Sequence, residues 1–179
     1  TGTVTDAETA KTAIKADKAT CKERTKKELT DNPAKIACLP KYKAVYTVYQ
    51  NNEVSRIILD VEGKGLWSTL KGFLAMGTDG KTIQGLTFYS HAETPGLGGE
   101  IDNPVWKKKW VGEQAFQNGS PDITIVKGTA PQGAKAAQDG KIDGLSGATL
   151  TSNGVQYLVN FWLGPKGYGP YLNSVSKGS

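Results

Sequence analysis

The chain has 179 residues, with 22 Lys and Arg against 17 Asp and Glu for a formal net charge of +5, and a hydrophobic fraction of 37%. That length can bury one core without metal or disulfides, and its longest apolar runs, "RIILDV" and "YLVNFWL", fall far short of the ~20 residues that cross a bilayer. The basic residues are dispersed, "KERTKK" near the start and "KKK" at 107–109, with no nucleic-acid motif beside them, which argues for a solvated surface and against a nucleic-acid partner.

In chain order, residues 6–30 are charged and alanine-rich and predict one or two exposed helices, ended by "DNP" and by Pro40. "YKAVYTVYQ" and "EVSRIILDVEG" predict strands joined at Asn51-Asn52, a pair that tolerates the positive φ of a tight hairpin. A strand ending at Met76, a turn at Asp79-Gly80 and a strand over "TIQGLTFYSH" follow. "NPVWKKKWVG" predicts a short helix with Pro104 near its start and Val105, Trp106 and Trp110 on one face. "DITIVKG" predicts a further strand. The clearest helix carries Val155, Leu158, Val159 and Trp162 at i, i+3, i+4 and i+7; Ser152 or Asn153 is the expected N-cap and Gly164-Pro165 the stop. Strand pairs dominate and the helices come late, which predicts an α+β domain, an antiparallel β-sheet with packed helices. The division expected is a helical extension over 1–41 and one domain over 42–179.

Three glycine-rich stretches can carry chemistry. "DGLSGATLTSNG", residues 143–154, sets small hydroxyl side chains on bare backbone immediately before the last helix. A helix N-terminus suits a phosphate, although Ser, Thr and Asn there also serve simply as caps. In "SHAETPGLGGE", Pro95-Gly96 is a natural type II turn centre, and Gly98 and Gly99 would let a flat ligand lie against peptide groups. "EGKGLWSTLKG" adds Gly63 and Gly65 beside Trp67, which taken alone reads as a core residue. His91, the one histidine, reads as structural, and Glu93, Glu100, Asp102 and Asp143 form no metal set by spacing. Cys21 and Cys38 match no zinc pattern; they are either a disulfide, if the compartment is oxidising, or two idle thiols.

Together "GKGLWS", "HAETPGLGGEI" and "DGLSGATLTSNGV" resemble the FMN-binding domain family, from about Tyr42 to Leu163. The likeness is nearest to its C-subunit members in bacterial Na+-translocating NADH:quinone oxidoreductases, and looser to the G-type members in Rnf electron-transport complexes. The resemblance implies an electron relay with no catalytic acid, base or metal, in which FMN is bound through its phosphate to Thr149 by a phosphoester. Ser146, Gly147, Ala148, Leu150 and Thr151 would surround that attachment. Glu93, Thr94, Pro95, Gly96, Leu97 and Gly98 would clamp the ring, and Gly65, Leu66 and Trp67 would form a second wall. Asp143 opens the motif that a flavin transferase reads during maturation. The implied partners are the other subunits of the complex and that transferase. The implied setting is the bacterial inner membrane, with this domain facing the periplasm and a membrane helix ahead of Thr1 missing, which favours a Cys21–Cys38 bridge. A Rnf-type subunit, a stand-alone periplasmic flavoprotein and, in a different class, a non-redox ligand-binding module are the alternatives.

Overall fold

The computed structural model describes residues 7–18, 21–131 and 139–177. Its main element is a four-stranded antiparallel sheet in the order β1 (Val45–Gln50), β2 (Glu53–Lys64), β3 (Thr69–Met76), β4 (Ile83–Ser90). Strand side chains alternate between faces, and the sequence supplies an apolar residue at every second position of one face: Ile57, Leu59 and Val61 on β2, Leu70, Leu74 and Met76 on β3, Leu86 and Phe88 on β4, all buried. The β1–β2 turn has Asn51 at φ 53° and Asn52 at φ 64°, the conformation that asparagine tolerates best among non-glycine residues.

Helix α4 (Thr149–Leu163) covers that face, burying Val155, Leu158, Val159 and Trp162 as its periodicity requires. Each such aliphatic or aromatic side chain removed from water contributes about 1.5–3 kcal/mol. The indole N–H of Trp162 donates to the Glu62 carbonyl at 2.7 Å, which sets the register of helix on strand. Gly154 allows close approach: a Cβ there would stand 2.5 Å from the Lys64 carbonyl oxygen. Gly154→Ala should therefore lower stability by about 1–3 kcal/mol through overpacking, although alanine is the better helix former; thermal denaturation at a lower midpoint is the expected reading.

The expected α+β class is the class found, with one addition. Strands β7 (Thr124–Val126) and β8 (Lys141–Asp143) form a separate parallel pair in which Val126 stands opposite Asp143. β8 is too short to announce itself by alternation. A short hairpin, β5 (Phe116–Gln117) with β6 (Ser120–Pro121), precedes it. Asn103 caps the Val105 N–H at the start of α3 (Pro104–Lys108), and Trp106 within it and Trp110 in the turn after it are buried edge to face. Val105 departs from expectation, being 67% exposed rather than on their face. Beyond the Gly164-Pro165 stop, α5 (Gly169–Ser176) packs Leu172 into the core.

At the N-terminal side, α1 (Ala7–Lys18) and α2 (Cys21–Glu28) form as predicted, and Cys21 is bonded to Cys38. The Leu39 N–H donates to the Thr25 hydroxyl, and the Lys41 N–H to the Asp17 carboxylate. Ala34 and Ile36 belong to the main core, and the Lys64 N–H donates to the Ala34 carbonyl at 2.9 Å. Residues ahead of Tyr42 thus help to close the core.

Candidate functional site

Helix α4 begins four or five residues earlier than the capping pattern predicts. Its first residue is Thr149, the cap position is held by Ala148, and no side chain caps it. Ser152 and Asn153, the expected caps, lie inside the helix. The Ser152 hydroxyl, buried, instead accepts from the Leu145 N–H at 3.3 Å and folds the preceding loop onto the first turn. Gly147 makes that bend with φ +69°, in the region glycine enters without cost. The first-turn amides of a helix have no intrahelical partner, and with no side-chain cap they form a positive end around an exposed Thr149.

Two cavities flank Gly147 and share it as a wall. The larger, about 390 Å³, is bounded by residues 125–128 on one side and by Gly144, Leu145, Ser146, Gly147, Thr149, Ser152 and Asn153 on the other. The smaller, about 140 Å³, is bounded by Leu66, Trp67, Glu93, Thr94, Leu97, Gly98, Gly147, Ala148 and Thr151. The apolar side chains bordering the smaller cavity are exposed, Trp67 65%, Leu97 44% and Leu66 38%, while Leu150, 62% exposed, lines neither cavity. Trp67 is thus no core residue. Its backbone is pinned while its indole is left on the surface.

The pin is Glu93. Its carboxylate, 5% exposed, accepts from the N–H groups of Leu66, Trp67 and Ser68 at 3.1, 3.0 and 3.2 Å and from the Thr151 hydroxyl at 2.6 Å. One side chain so joins the β2–β3 turn, the loop after β4 and the first turn of α4. Burial alone would push this carboxyl up; the Thr151 hydroxyl and the three amides outweigh burial and hold it below its ordinary value. Glu93 and Thr151 therefore support the wall from within. Gly65 and Gly98 are required by this packing, since Cβ atoms there would stand 2.6 Å from Glu93 Oε1 and 2.5 Å from Thr151 Oγ1.

The turn Thr94-Pro95-Gly96-Leu97 has the predicted geometry: Gly96 lies at φ +73° and the Leu97 N–H donates to the Thr94 carbonyl at 3.1 Å. It presents Leu97 to the smaller cavity, while Pro95 and Gly96 are exposed at the turn and line neither cavity. Asp143 sits at the end of β8 and lines neither cavity; its carboxylate takes a hydrogen bond from Lys109 and another from the Ala130 N–H at 2.7 Å. Burial would raise this carboxyl, and Lys109 with the Ala130 amide brings it below the usual range. His91 is structural, as read: it lies 2.7 Å from Asp102 through Nε2 and accepts the Glu93 N–H at Nδ1.

Sequence reading missed the wall formed by residues 125–128, including Lys127. Only the parallel pairing of β7 with β8 carries that stretch to the loop before α4, and no local pattern announces it. The finished site offers an apolar shelf beside an uncapped helix end. It suits a ligand that is flat and apolar at one end and anionic at the other.

The profile of the FMN-binding domain matches residues 65–164. The chain is 53% identical over 128 residues to the C subunit of the Na(+)-translocating NADH-quinone reductase from Yersinia pestis, covering 71% of this chain and 47% of that protein. It is 48% identical over 149 residues to the C subunit from Vibrio campbellii, covering 83% and 56%. The chain thus spans about half the length of the curated relatives it matches. Among solved structures, NqrC of Shewanella oneidensis superposes with a TM-score of 0.76 at 34% identity, over 84% of this chain and 68% of that one. The C subunit from Parabacteroides distasonis shares the fold, with a TM-score of 0.61 at 23% identity over 94% and 98%.

Proposed function

The chain belongs to the FMN-binding domain family, and we propose that it is the flavin-carrying domain of a Na+-translocating NADH:quinone reductase, with FMN esterified through its phosphate to Thr149. The observation that carries this reading is the position of Thr149. It is the exposed first residue of an uncapped helix and lines the larger cavity.

When bound, FMN supplies the redox chemistry, taking up electrons and giving them back. The protein's residues hold and shield. The Thr149 oxygen is the attachment point, and the first-turn amides of α4 stabilise the single negative charge a phosphodiester keeps. Leu66, Trp67 and Leu97 offer the flat surface against which a ring system loses water, and Glu93 keeps that surface in place. The smaller cavity falls below the ~300 Å³ of pockets that enclose a drug-sized ligand, which suits a ring with one edge open to a partner. A neutral threonine hydroxyl is a weak nucleophile, so a flavin transferase makes the ester. Asp143, where β8 runs into the loop, belongs to the motif that the enzyme recognises. The partners are the other subunits of the complex, at the inner membrane with this domain on the periplasmic side. The Cys21–Cys38 bond supports an oxidising compartment.

Peptide mapping of denatured protein, produced together with a flavin transferase, tests the reading: one FMN on the peptide containing Thr149 supports it, and flavin on another side chain overturns it. Trp67→Ala, at an exposed position, should leave the thermal midpoint nearly unchanged. It should also raise the fluorescence of the attached flavin, because an indole stacked on the ring quenches it.

A further inference from the structure

Lys127 follows β7 directly and lines the larger cavity together with Thr149. Among the described residues it is the only charged side chain bounding that cavity. Its position is fixed from two sides. Strands β7 and β8 run parallel with Val126 opposite Asp143, so both chains leave the pair at the same end, where α4 begins. The loop ahead of α4 is then pressed onto the chain around Lys127. The Gly144 N–H donates to the Gly128 carbonyl at 3.0 Å, and a Cβ on Gly144 would stand 2.3 Å from the Val126 carbonyl oxygen. In open α/β sheets, ligands bind beyond the carboxyl ends of parallel strands, and phosphates bind where a helix starts there; this two-stranded pair reproduces that arrangement in miniature.

The charges nearby leave Lys127 distinct. Lys109 is paired with Asp143, and Lys141 with Asp139. Among the described residues Lys127 has no carboxylate partner. We infer that Lys127 is the counter-cation of the phosphodiester at Thr149, a positioning residue that holds the anionic end of the ligand inside the larger cavity. The inference rests on the function proposed for Thr149. The apolar shelf of Trp67 and Leu97 borders the other cavity, across the Gly147 wall, so Lys127 is assigned to the phosphate and not to the ring.

The test compares flavin-loaded wild type with the flavin-free Thr149→Ala protein. Both are labelled with an amine-acylating reagent and read by peptide mass spectrometry at each lysine. Lys127 should label about two- to fivefold more slowly in the loaded protein, the range expected of an exposed ion pair. That difference should vanish at ~1 M salt, where charges are screened within ~3 Å, while Lys109 and Lys141 label alike in both proteins. Equal labelling of Lys127 in the two proteins overturns the inference, and so does protection that persists at high salt, since steric cover would explain it. Wild type carrying its flavin elsewhere than on Thr149 sinks the underlying reading instead, and the same peptide maps report it.

Discussion

Thr149→Ala, produced beside a flavin transferase, should carry no flavin that survives denaturation, against one flavin per chain in the unsubstituted protein. The expected loss is complete, because no neighbouring oxygen stands in the same place. Thr151 and Ser152 are buried, the first donating to Glu93 and the second accepting from the Leu145 N–H. Ser146 lies on the far side of Gly147 in the chain and outside the helix. The fold should be untouched. Thr149 is exposed and makes no capping hydrogen bond, so the substitution removes a surface hydroxyl at an effect within about 0.5 kcal/mol. Intact mass and a melting curve on the same sample separate the outcomes. A flavin-loaded Thr149→Ala protein would end the assignment, and a large fall in midpoint would show that the residue is structural.

Glu93→Ala should be the most damaging single truncation in the site, with a loss of about 3 kcal/mol or more. The figure follows from the partners left behind: three backbone amides and one hydroxyl lose their acceptor in a place water reaches poorly. Glu93→Gln keeps the size but turns an amide NH2 toward donors, so it should recover only part of the loss. Stability should follow acid in the same sense. The carboxyl titrates lower in the folded protein than its ordinary value, so its contribution is present in full above the ordinary carboxylate range, ~4.3. It is lost as pH falls through the lower folded value. Denaturant midpoints measured from pH 6 downward should fall more steeply for wild type than for Glu93→Gln. Parallel curves would show that Glu93 carries no such linkage.

Much of the scaffold could be read from residue order because its signals are local. The Asn51-Asn52 and Pro95-Gly96 turns depend on backbone preferences of the residues themselves, and the stripe from Val155 to Trp162 on a fixed period. What stayed hidden depends on neighbours distant in the chain. The start of α4 could not be placed from Ser152 and Asn153, because Ser152 is taken up by Leu145 of the loop. Trp67 read as core because large aromatics usually are; its exposure comes from Glu93, 26 residues away, holding the backbone. Val105 is exposed because a residue one position before Trp106 sits about 100° round the helix from it, and Lys127 became visible only through a three-residue strand that pairs across 17 positions. The glycine motifs mark the stretches that line the two cavities but not the purpose of each glycine. Gly65 and Gly98 make room for Glu93 and Thr151, whereas Gly147 makes the bend.

The Cys21–Cys38 bond also bears on how force enters the molecule. A pull along the segment leading into β1 would meet a covalent crosspiece at α2 before it reached the sheet. Within the loop that it closes, the Ala34 carbonyl accepts from the Lys64 N–H at the end of β2, next to the turn that Glu93 fastens. With the bond intact, tension passes from Cys21 straight to Cys38 and leaves the Ala34–Lys64 hydrogen bond unloaded. With it reduced, the same tension would run through residues 22–37 and reach the end of β2 by way of Ala34.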